Sequence, residues 1–257
     1  MRPFLRPLCL TLALVGSTVL AGCATPPPAN DPDAVAEFKE NNDPLEPANR
    51  FFYQVNDALD TVLLKPIAIG YRNLVPSPVR TGVHNVLSNL GAPVVAANDL
   101  MQGKANRTGN TITRFVINST IGIGGLIDVA ADMGLPPHDA DFGMTLAVWG
   151  LPDGVFLYLP VLGPTNPRDA VGFGVDTFLL DPWGWIGQGN DVRNLRLARA
   201  GIAAVDARAS YLDDVDRVKA QALDPYATFR SLSRQYRASK IEDARGDVTG
   251  PAVKKSP

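Results

Sequence analysis

The sequence predicts an all-α fold without a transmembrane span, and three observations support this. Prolines and capping residues stand at positions typical of helix starts. Between them, apolar residues recur three and four positions apart, as on one face of a helix. The apolar runs are cut by glycine and proline before they reach the roughly 20 residues needed to cross a bilayer.

The middle of the chain is poor in cations. Residues 115–192 contain one basic side chain, Arg168, and nine acidic ones. A domain surrounded by water normally carries Lys and Arg throughout its surface. The composition therefore indicates a surface that meets lipid without crossing it. An ordinary buried core is the alternative.

The overall composition excludes several classes of function. The 24 basic and 26 acidic residues form no basic stripe, so no nucleic-acid partner is expected. Cys9 and Cys23 are the two cysteines, and His84 and His138 are the two histidines. This is too few for a disulfide framework or a typical zinc site. There is no Gly-x-Ser-x-Gly elbow either. We expect no catalytic residues, metal or cofactor, and hence no enzyme.

The N-terminus has the features of a lipoprotein leader. Residues 1–22 combine a basic start with an apolar run of signal-peptide length. They lead into Leu20-Ala21-Gly22-Cys23, which resembles the lipobox of bacterial lipoproteins. The resemblance implies cleavage before Cys23 and acylation of that residue with chains such as palmitate. A plain signal peptide with a chance cysteine is the alternative. Ala24 favours sorting to the outer membrane, and residues 23–42 read as a Pro-rich tether.

Helix signals follow in order. Asp43 is predicted to cap the first helix, with Pro44 at its first position, and Lys65-Pro66 to end it. Ser77 is predicted to cap the next helix, which Gly91 and Pro93 should interrupt. The glycine-rich segment Ile121-Gly122-Ile123-Gly124-Gly125 lacks a Walker lysine and the third glycine of a dinucleotide-binding loop. Close helix packing or a membrane-facing kink explains it better.

The next segments predict a helix, a loop and another helix. A helix is expected over 139–149, then a turn at 150–154 and a β-rich run at 155–159. The turn and run suggest a short hairpin-like loop on the membrane side, with a buried turn as the alternative. Arg168 and Asp169 should open the following helix. Such a pair faces a partner or a water-filled space, or else forms an ordinary ion pair.

The C-terminal third returns to charged helices. Residues 191–222 predict one long amphipathic helix with a solvated charged face. Asp224-Pro225 starts a last helix. We expect one helical domain over residues 43–240 and a disordered tail over 241–257. Trp183 and Trp185 suit either the lipid headgroup level or a core.

Several short sequence motifs, in their order along the chain, resemble those of the MlaA (VacJ) family of outer-membrane phospholipid-transport lipoproteins. The motifs are Asp43-Pro44-Leu45-Glu46, Asn49-Arg50, Tyr71-Arg72, Asn98-Asp99-Leu100, Gln102-Gly103, Thr113-Arg114-Phe115, Gly122-Ile123-Gly124-Gly125 with Asp128, Asp141-Phe142-Gly143, Thr145-Leu146, Leu159-Pro160, Arg168-Asp169 and Asp224-Pro225-Tyr226. Each motif alone is a weak indication of the family, but the whole set in this order is specific to it.

The resemblance implies a ring-shaped helical domain lying in the periplasmic leaflet of the outer membrane. A central amphipathic channel would take mislocalised phospholipids from the outer leaflet. They would pass to the periplasmic carrier of the Mla pathway and on to an inner-membrane transporter, while trimeric porins would be the membrane partner. A structural lipoprotein that scaffolds porins without moving lipid is the alternative.

Two sets of residues are expected to serve the channel. Asp128, Arg168 and Asp169 are predicted to give it a polar lining. A gate loop is predicted at four residues, namely Trp149, Gly150, Pro152 and Gly154. The family commonly has Gly-Pro-Tyr where this chain has Gly154-Val155-Phe156. The gate is therefore the expectation with the weakest support.

Overall fold

The structure is a computed structural model that describes residues 27–28, 30–184 and 189–246. Cys23, Trp185 and residues 247–257 lie outside the described residues. The helices are α1 (Pro32–Asn41), α2 (Glu46–Leu59), α3 (Lys65–Leu74), α4 (Ser77–Met101), α5 (Ala105–Thr120), α6 (Val129–Asp132), α7 (Phe142–Val148), α8 (Pro167–Val175), α9 (Asn190–Ser210), α10 (Leu212–Gln221) and α11 (Pro225–Arg245). Two short strands are β1 (Leu157–Leu159) and β2 (Gly163–Thr165). The all-α prediction is confirmed.

The first two helices of the domain are continuous, contrary to the break predicted at Lys65-Pro66. α2 passes through a π-helical turn, Asp60–Leu64, directly into α3. Lys65 N–H bonds to the carbonyl of Asp60, five residues back. A widened turn leaves room for Pro66, which has no N–H to donate. The proline therefore bends the hydrogen-bond pattern without ending the helix.

α4 also runs through its predicted break. It begins at Ser77, with Pro76 and not Ser77 at the cap position, and continues past Gly91 and Pro93 to Met101. Trp183 Nε1 donates to the carbonyl of Leu90 at 2.8 Å, one turn before the proline. α5 packs along α4. Tertiary packing thus overrides the local signal of a helix breaker.

The glycine-rich segment, residues 121–125, forms a tight turn that packs closely against α4. Gly125 has φ +94°, and a Cβ there would lie 2.7 Å from the Cβ of Asn89. A Cβ on Gly122 would lie 2.3 Å from the carbonyl oxygen of Ile127. Close packing therefore explains Gly122 and Gly125, whereas a Cβ on Gly124 would meet no atom within 4 Å.

The hairpin lies later in the chain than predicted. β1 and β2 pair antiparallel, with Tyr158 opposite Pro164. The turn between them contains Val161 at φ +69°, whereas residues 151–154 form a loop without regular structure. The predicted turn at 150–154 thus leads into the first strand and does not join the two strands.

The long helix predicted over 191–222 is two helices, α9 and α10, that meet at Tyr211. Its charged face is solvated only in part: Asp214 and Arg217 of α10 are exposed, but two charged residues near the end of α9 are not. Arg208 is buried and donates to Asp60 at 2.6 Å, while buried Asp206 accepts from Tyr71 at 3.3 Å. Leu195, on the predicted inner stripe, is 70% exposed. The C-terminal part of α9 thus turns Asp206 and Arg208 inward, whereas Leu195, Leu197 and Ile202 are exposed.

This inversion extends through the described part of the chain. Fifteen polar or charged residues are buried there, against eleven hydrophobic ones. Six of the eleven are alanines, and the five larger ones are Met144, Phe156, Tyr158, Leu212 and Tyr226. Large apolar side chains are exposed instead, including Val62 at 79%. Within the described ranges, no helix combines the length and apolar character needed to cross a membrane.

The helices form a closed circuit. α3 packs on α9, α9 on α4, α4 on α7, and α7 on α11. α11 contacts β2, and β1 packs on α2. The chain thus returns to its starting point, which gives the ring-like arrangement of helices.

Asp43 closes this circuit, and it is not the helix cap that was predicted. α2 begins at Glu46, after Leu45. The buried Asp43 carboxylate accepts from Asn49 at 2.7 Å and Arg230 at 2.8 Å, and also from the hydroxyl of Tyr226. Burial and the bond to Asp43 raise the pKa of Tyr226 well above its ordinary value, so the phenol remains a donor.

The Asp43→Ala substitution should therefore destabilise the fold by about 3–5 kcal/mol, because the buried Arg230 guanidinium loses its close carboxylate partner and keeps only Glu46 at 3.7 Å. Arg217→Ala, which removes an exposed pair with Asp214, should cost less than about 1 kcal/mol. Urea unfolding of both variants in detergent, followed by tryptophan fluorescence, measures the difference. Equal costs would show that Asp43 does not hold the ring closed.

Candidate functional site

A cavity of about 780 Å³ lies between α8, α11, the hairpin and the loop that precedes it. Its apolar wall includes Phe156, Leu162, Phe173 and Ile241. Its polar wall includes Asp141, Asp153, Arg168, Asp169, Asp176, Arg230, Arg234 and Arg237. The cavity is amphipathic, with both signs of charge on one side.

Arg237 organises the charged wall. From α11 it donates to both oxygens of Asp141, at 2.6 and 2.7 Å, and to both oxygens of Asp169, at 2.9 Å each. Asp141 is at the same time the N-cap of α7, and Asp169 lies in the first turn of α8. One guanidinium therefore fixes the starts of two helices against a third.

Burial and these ion pairs shift the pKa values of the wall in different directions. Burial raises the pKa of Asp169, but hydrogen bonds from Arg237 and Arg168 outweigh it and hold that pKa below the usual value. Burial raises the pKa of Asp176 above its usual value, although Phe142 N–H and Asn98 bond to it. Asp169 therefore stays ionised to lower pH, and Asp176 is protonated more easily than Asp169.

Two glycines allow α7 and α8 to come this close. A Cβ on Gly172 would lie 2.3 Å from the backbone nitrogen of Gly143, and one on Gly143 would lie 2.5 Å from a carboxylate oxygen of Asp169. Only hydrogen fits at either position. The crossing brings Asp141 and Asp169 within reach of the same arginine.

The predicted polar residues Arg168, Asp169 and Asp128 fall in two places. Arg168 and Asp169 share the large cavity and open α8 as expected. Asp128 lines a separate pocket of about 110 Å³ near His84 and His138, where both its oxygens accept from Arg114. Asp128 also caps α6 by accepting from Ala131 N–H. The structure therefore does not bring the three together, and their role in a lipid path stays a prediction.

The residues of the predicted gate loop differ in their surroundings. Trp149 ends α7, is exposed, and donates from Nε1 to the carbonyl of Met101 at 3.1 Å. Gly150 and Gly154 have φ of +94° and +76°. The carbonyl of Gly154 accepts from Asn42 at 2.6 Å, and Gly154 lines the cavity. Pro152 is exposed in the loop between them. A gating role for this loop stays a prediction.

The arginines of α11 were not among the predicted site residues. Arg230, Arg234 and Arg237 recur at helical spacing, and all three line the cavity. This spacing was the available signal. It is also the pattern of an ordinary solvated face, so the sequence alone does not distinguish the two. Asp141 belongs to the family motif Asp141-Phe142-Gly143, but no role was predicted for it.

The fold and cavity define a class of protein: a helical ring with a polar interior, an apolar exterior and an amphipathic cavity. The model of the family described as MlaA lipoprotein matches residues 41–240. The chain belongs to the MlaA lipoprotein family.

Individual relatives agree. The intermembrane phospholipid transport system lipoprotein MlaA of Haemophilus influenzae is 34% identical over 238 residues, which cover 91% of this chain and 90% of the relative. The protein of the same name from Escherichia coli is 32% identical, covering 86% and 84%. A solved structure from a study of the structural basis for maintenance of bacterial outer membrane lipid asymmetry matches with a TM-score of 0.66 and 29% identity. It covers 77% of this chain and 98% of the other.

The crossing of α7 and α8 yields a prediction with a matched control. Gly172→Ala should destabilise the protein by about 1–3 kcal/mol, because the added methyl group forces the two helices apart. Gly174→Ala, on the same helix, meets no atom within 4 Å and should stabilise by about 0.4–1 kcal/mol. Denaturant unfolding of the two variants tests this. A Gly172→Ala variant as stable as Gly174→Ala would contradict the tight crossing.

Proposed function

We propose that this protein removes mislocalised phospholipids from the outer leaflet of the outer membrane and passes them to the periplasmic carrier of the Mla pathway. The observation that carries the proposal is an amphipathic cavity in a ring-like helical protein that exposes many large apolar side chains. Family membership supports it, since the relatives in Haemophilus influenzae and Escherichia coli bear the name of a phospholipid transport lipoprotein. The activity is movement of lipid without covalent chemistry.

The cavity suits an amphipathic passenger. A phospholipid needs apolar contact for its chains and hydrogen-bonding groups for its headgroup, because burying an unpaired charge costs several kcal/mol or more. Phe156, Leu162 and Phe173 supply the first, and Arg168 with its charged neighbours supplies the second. We propose that the path includes this cavity and that the loop from Trp149 to Gly154 controls entry.

The proposed location is the periplasmic leaflet of the outer membrane. Anchorage would come from acyl chains on Cys23, each buried CH₂ contributing about 0.8 kcal/mol. Exposed Phe51, Val62 and Leu63 would lie in the hydrocarbon, which accepts such side chains without the penalty that water imposes. Domain 43–240 would hold the transport function, and a porin trimer would be its membrane partner.

Deletion of the gene should increase the phospholipid exposed on the cell surface. The wild-type gene should restore the normal level, and Cys23→Ala should not, because the protein would lack its acyl anchor. Surface labelling of phospholipid in the source bacterium measures this. Unchanged surface phospholipid, with porin assembly altered instead, would favour the scaffold function.

The cavity itself can be blocked. Ala238 and its neighbour Ser239 are both exposed on α11, but Ala238 lines the cavity and Ser239 does not. Ala238→Trp should raise surface phospholipid toward the level of the deletion, since the indole occupies the path, and Ser239→Trp should behave like wild type. Protein amount and porin co-purification serve as controls and should be equal in the two variants. Full activity of Ala238→Trp would exclude this cavity as the lipid path.

A further inference from the structure

Arg168 has an unused hydrogen-bond donor. Its Nε donates to Asp169 at 3.0 Å, and its Nη1 reaches the carbonyl of Leu151 at 3.4 Å. Its Nη2 is buried and has no hydrogen-bond partner within the described part of the chain. The residue as a whole is 8% exposed and lines the cavity. A buried donor of this kind is unfavourable unless an acceptor is supplied from elsewhere.

The other cations near the cavity are engaged by carboxylates or backbone. Arg237 is shared between Asp141 and Asp169, and Arg230 is paired with Asp43. Arg234 donates to the carbonyl of Asn41. The spare donor capacity of the charged wall is therefore concentrated at Arg168.

The acidic residues of the cavity wall do not provide an acceptor for Nη2 of Arg168. Asp169 already accepts from Arg237 as well as from Arg168. Asp153 is only half-buried, so water can hydrate its carboxylate, whereas Nη2 of Arg168 is out of reach of solvent. A molecule in the cavity gains access to this guanidinium when the Leu151 carbonyl releases its long bond to Nη1, because Nη2 is covered in the present arrangement.

We propose that Arg168 binds the phosphate group of the phospholipid in transit. This inference rests on the proposed function and adds to it the group of the lipid that is recognised. A planar guanidinium presents parallel N–H donors that match two oxygens of a phosphate. The long bond to Leu151 is the one that the phosphate replaces. Lipid binding and attachment of the 151–154 loop therefore compete for the same guanidinium.

Binding of short-chain ligands to the full-length lipoprotein in amphipol tests this assignment by calorimetry. The probes are dihexanoylphosphatidylglycerol, dihexanoylglycerol, which lacks the phosphate, and inorganic phosphate. Arg168→Gln should weaken binding of the phospholipid about tenfold to hundredfold, the loss expected for a hydrogen bond to a charged group. Arg168→Lys should lose less, because the charge remains. Binding of dihexanoylglycerol should be unchanged in both.

Arg199→Gln is the matched control, since Arg199 pairs with Asp181 and does not line the cavity. It should leave all affinities unchanged. An equal loss for phospholipid and dihexanoylglycerol in Arg168→Gln would show a merely structural role and overturn the proposal, as would no loss at all. Inorganic phosphate that binds as tightly as the phospholipid would assign the site to a free anion instead.

The outcome can be separated from that of the proposed function. If gene deletion raises surface phospholipid but Arg168→Gln restores it fully and binds phospholipid normally, the function stands and the assignment of Arg168 falls. If Arg168→Gln loses phosphate-dependent binding but deletion changes no surface lipid, the site stands and the transport function falls.

Discussion

Charge pairing inside an inverted protein is the constraint on which the rest of this structure depends. With large apolar side chains outside and polar ones inside, burial of apolar area cannot be the main force between the helices. Buried carboxylates and guanidiniums join helices that are distant in sequence, as in Asp43 with Arg230 and Asp60 with Arg208. Removing either partner leaves an uncompensated charge, which is strongly destabilising. The pairs therefore specify which helices meet.

Close approach of backbones complements these pairs. Helices in an apolar solvent associate through tight packing of small residues and polar contacts, because lipid is as apolar as their own surfaces. Gly143 and Gly172 follow this rule at the crossing of α7 and α8. The crossing places Asp141 and Asp169 on either side of Arg237. Packing of small residues thus positions the charges that line the cavity.

The sequence predicted helices well and their environment less well. A helix start that depends on a capping residue next to it in the sequence was predicted correctly at Asp224, which caps α11 by accepting from Ala227 N–H. Asp43 was assigned by the same reasoning, yet its partner Arg230 is 187 residues away, and no local pattern reveals such a pair. The apolar stripe predicted for residues 191–222 is buried at Ala209 and Leu212 but exposed at Leu195 and Ile202, because amphipathic reasoning assumes water outside. Predicted tail residues 241–245 are helical for a similar reason: Asp243 pairs with buried Arg107 of α5.

The cation-poor middle of the chain acquires a physical explanation from these pairs. Its carboxylates take their partners from the flanking segments: Arg114 for Asp128, Arg199 for Asp181 and Arg237 for Asp141. Residues 115–192 supply the negative half of each pair, and the earlier and later helices supply the positive half. Arg168 is the exception, a guanidinium within the acidic segment that shares Asp169 with Arg237. Because Arg237 also pairs with Asp141, the two guanidiniums and the two carboxylates balance in charge. What the protein leaves without a partner is one buried N–H donor group of Arg168, Nη2.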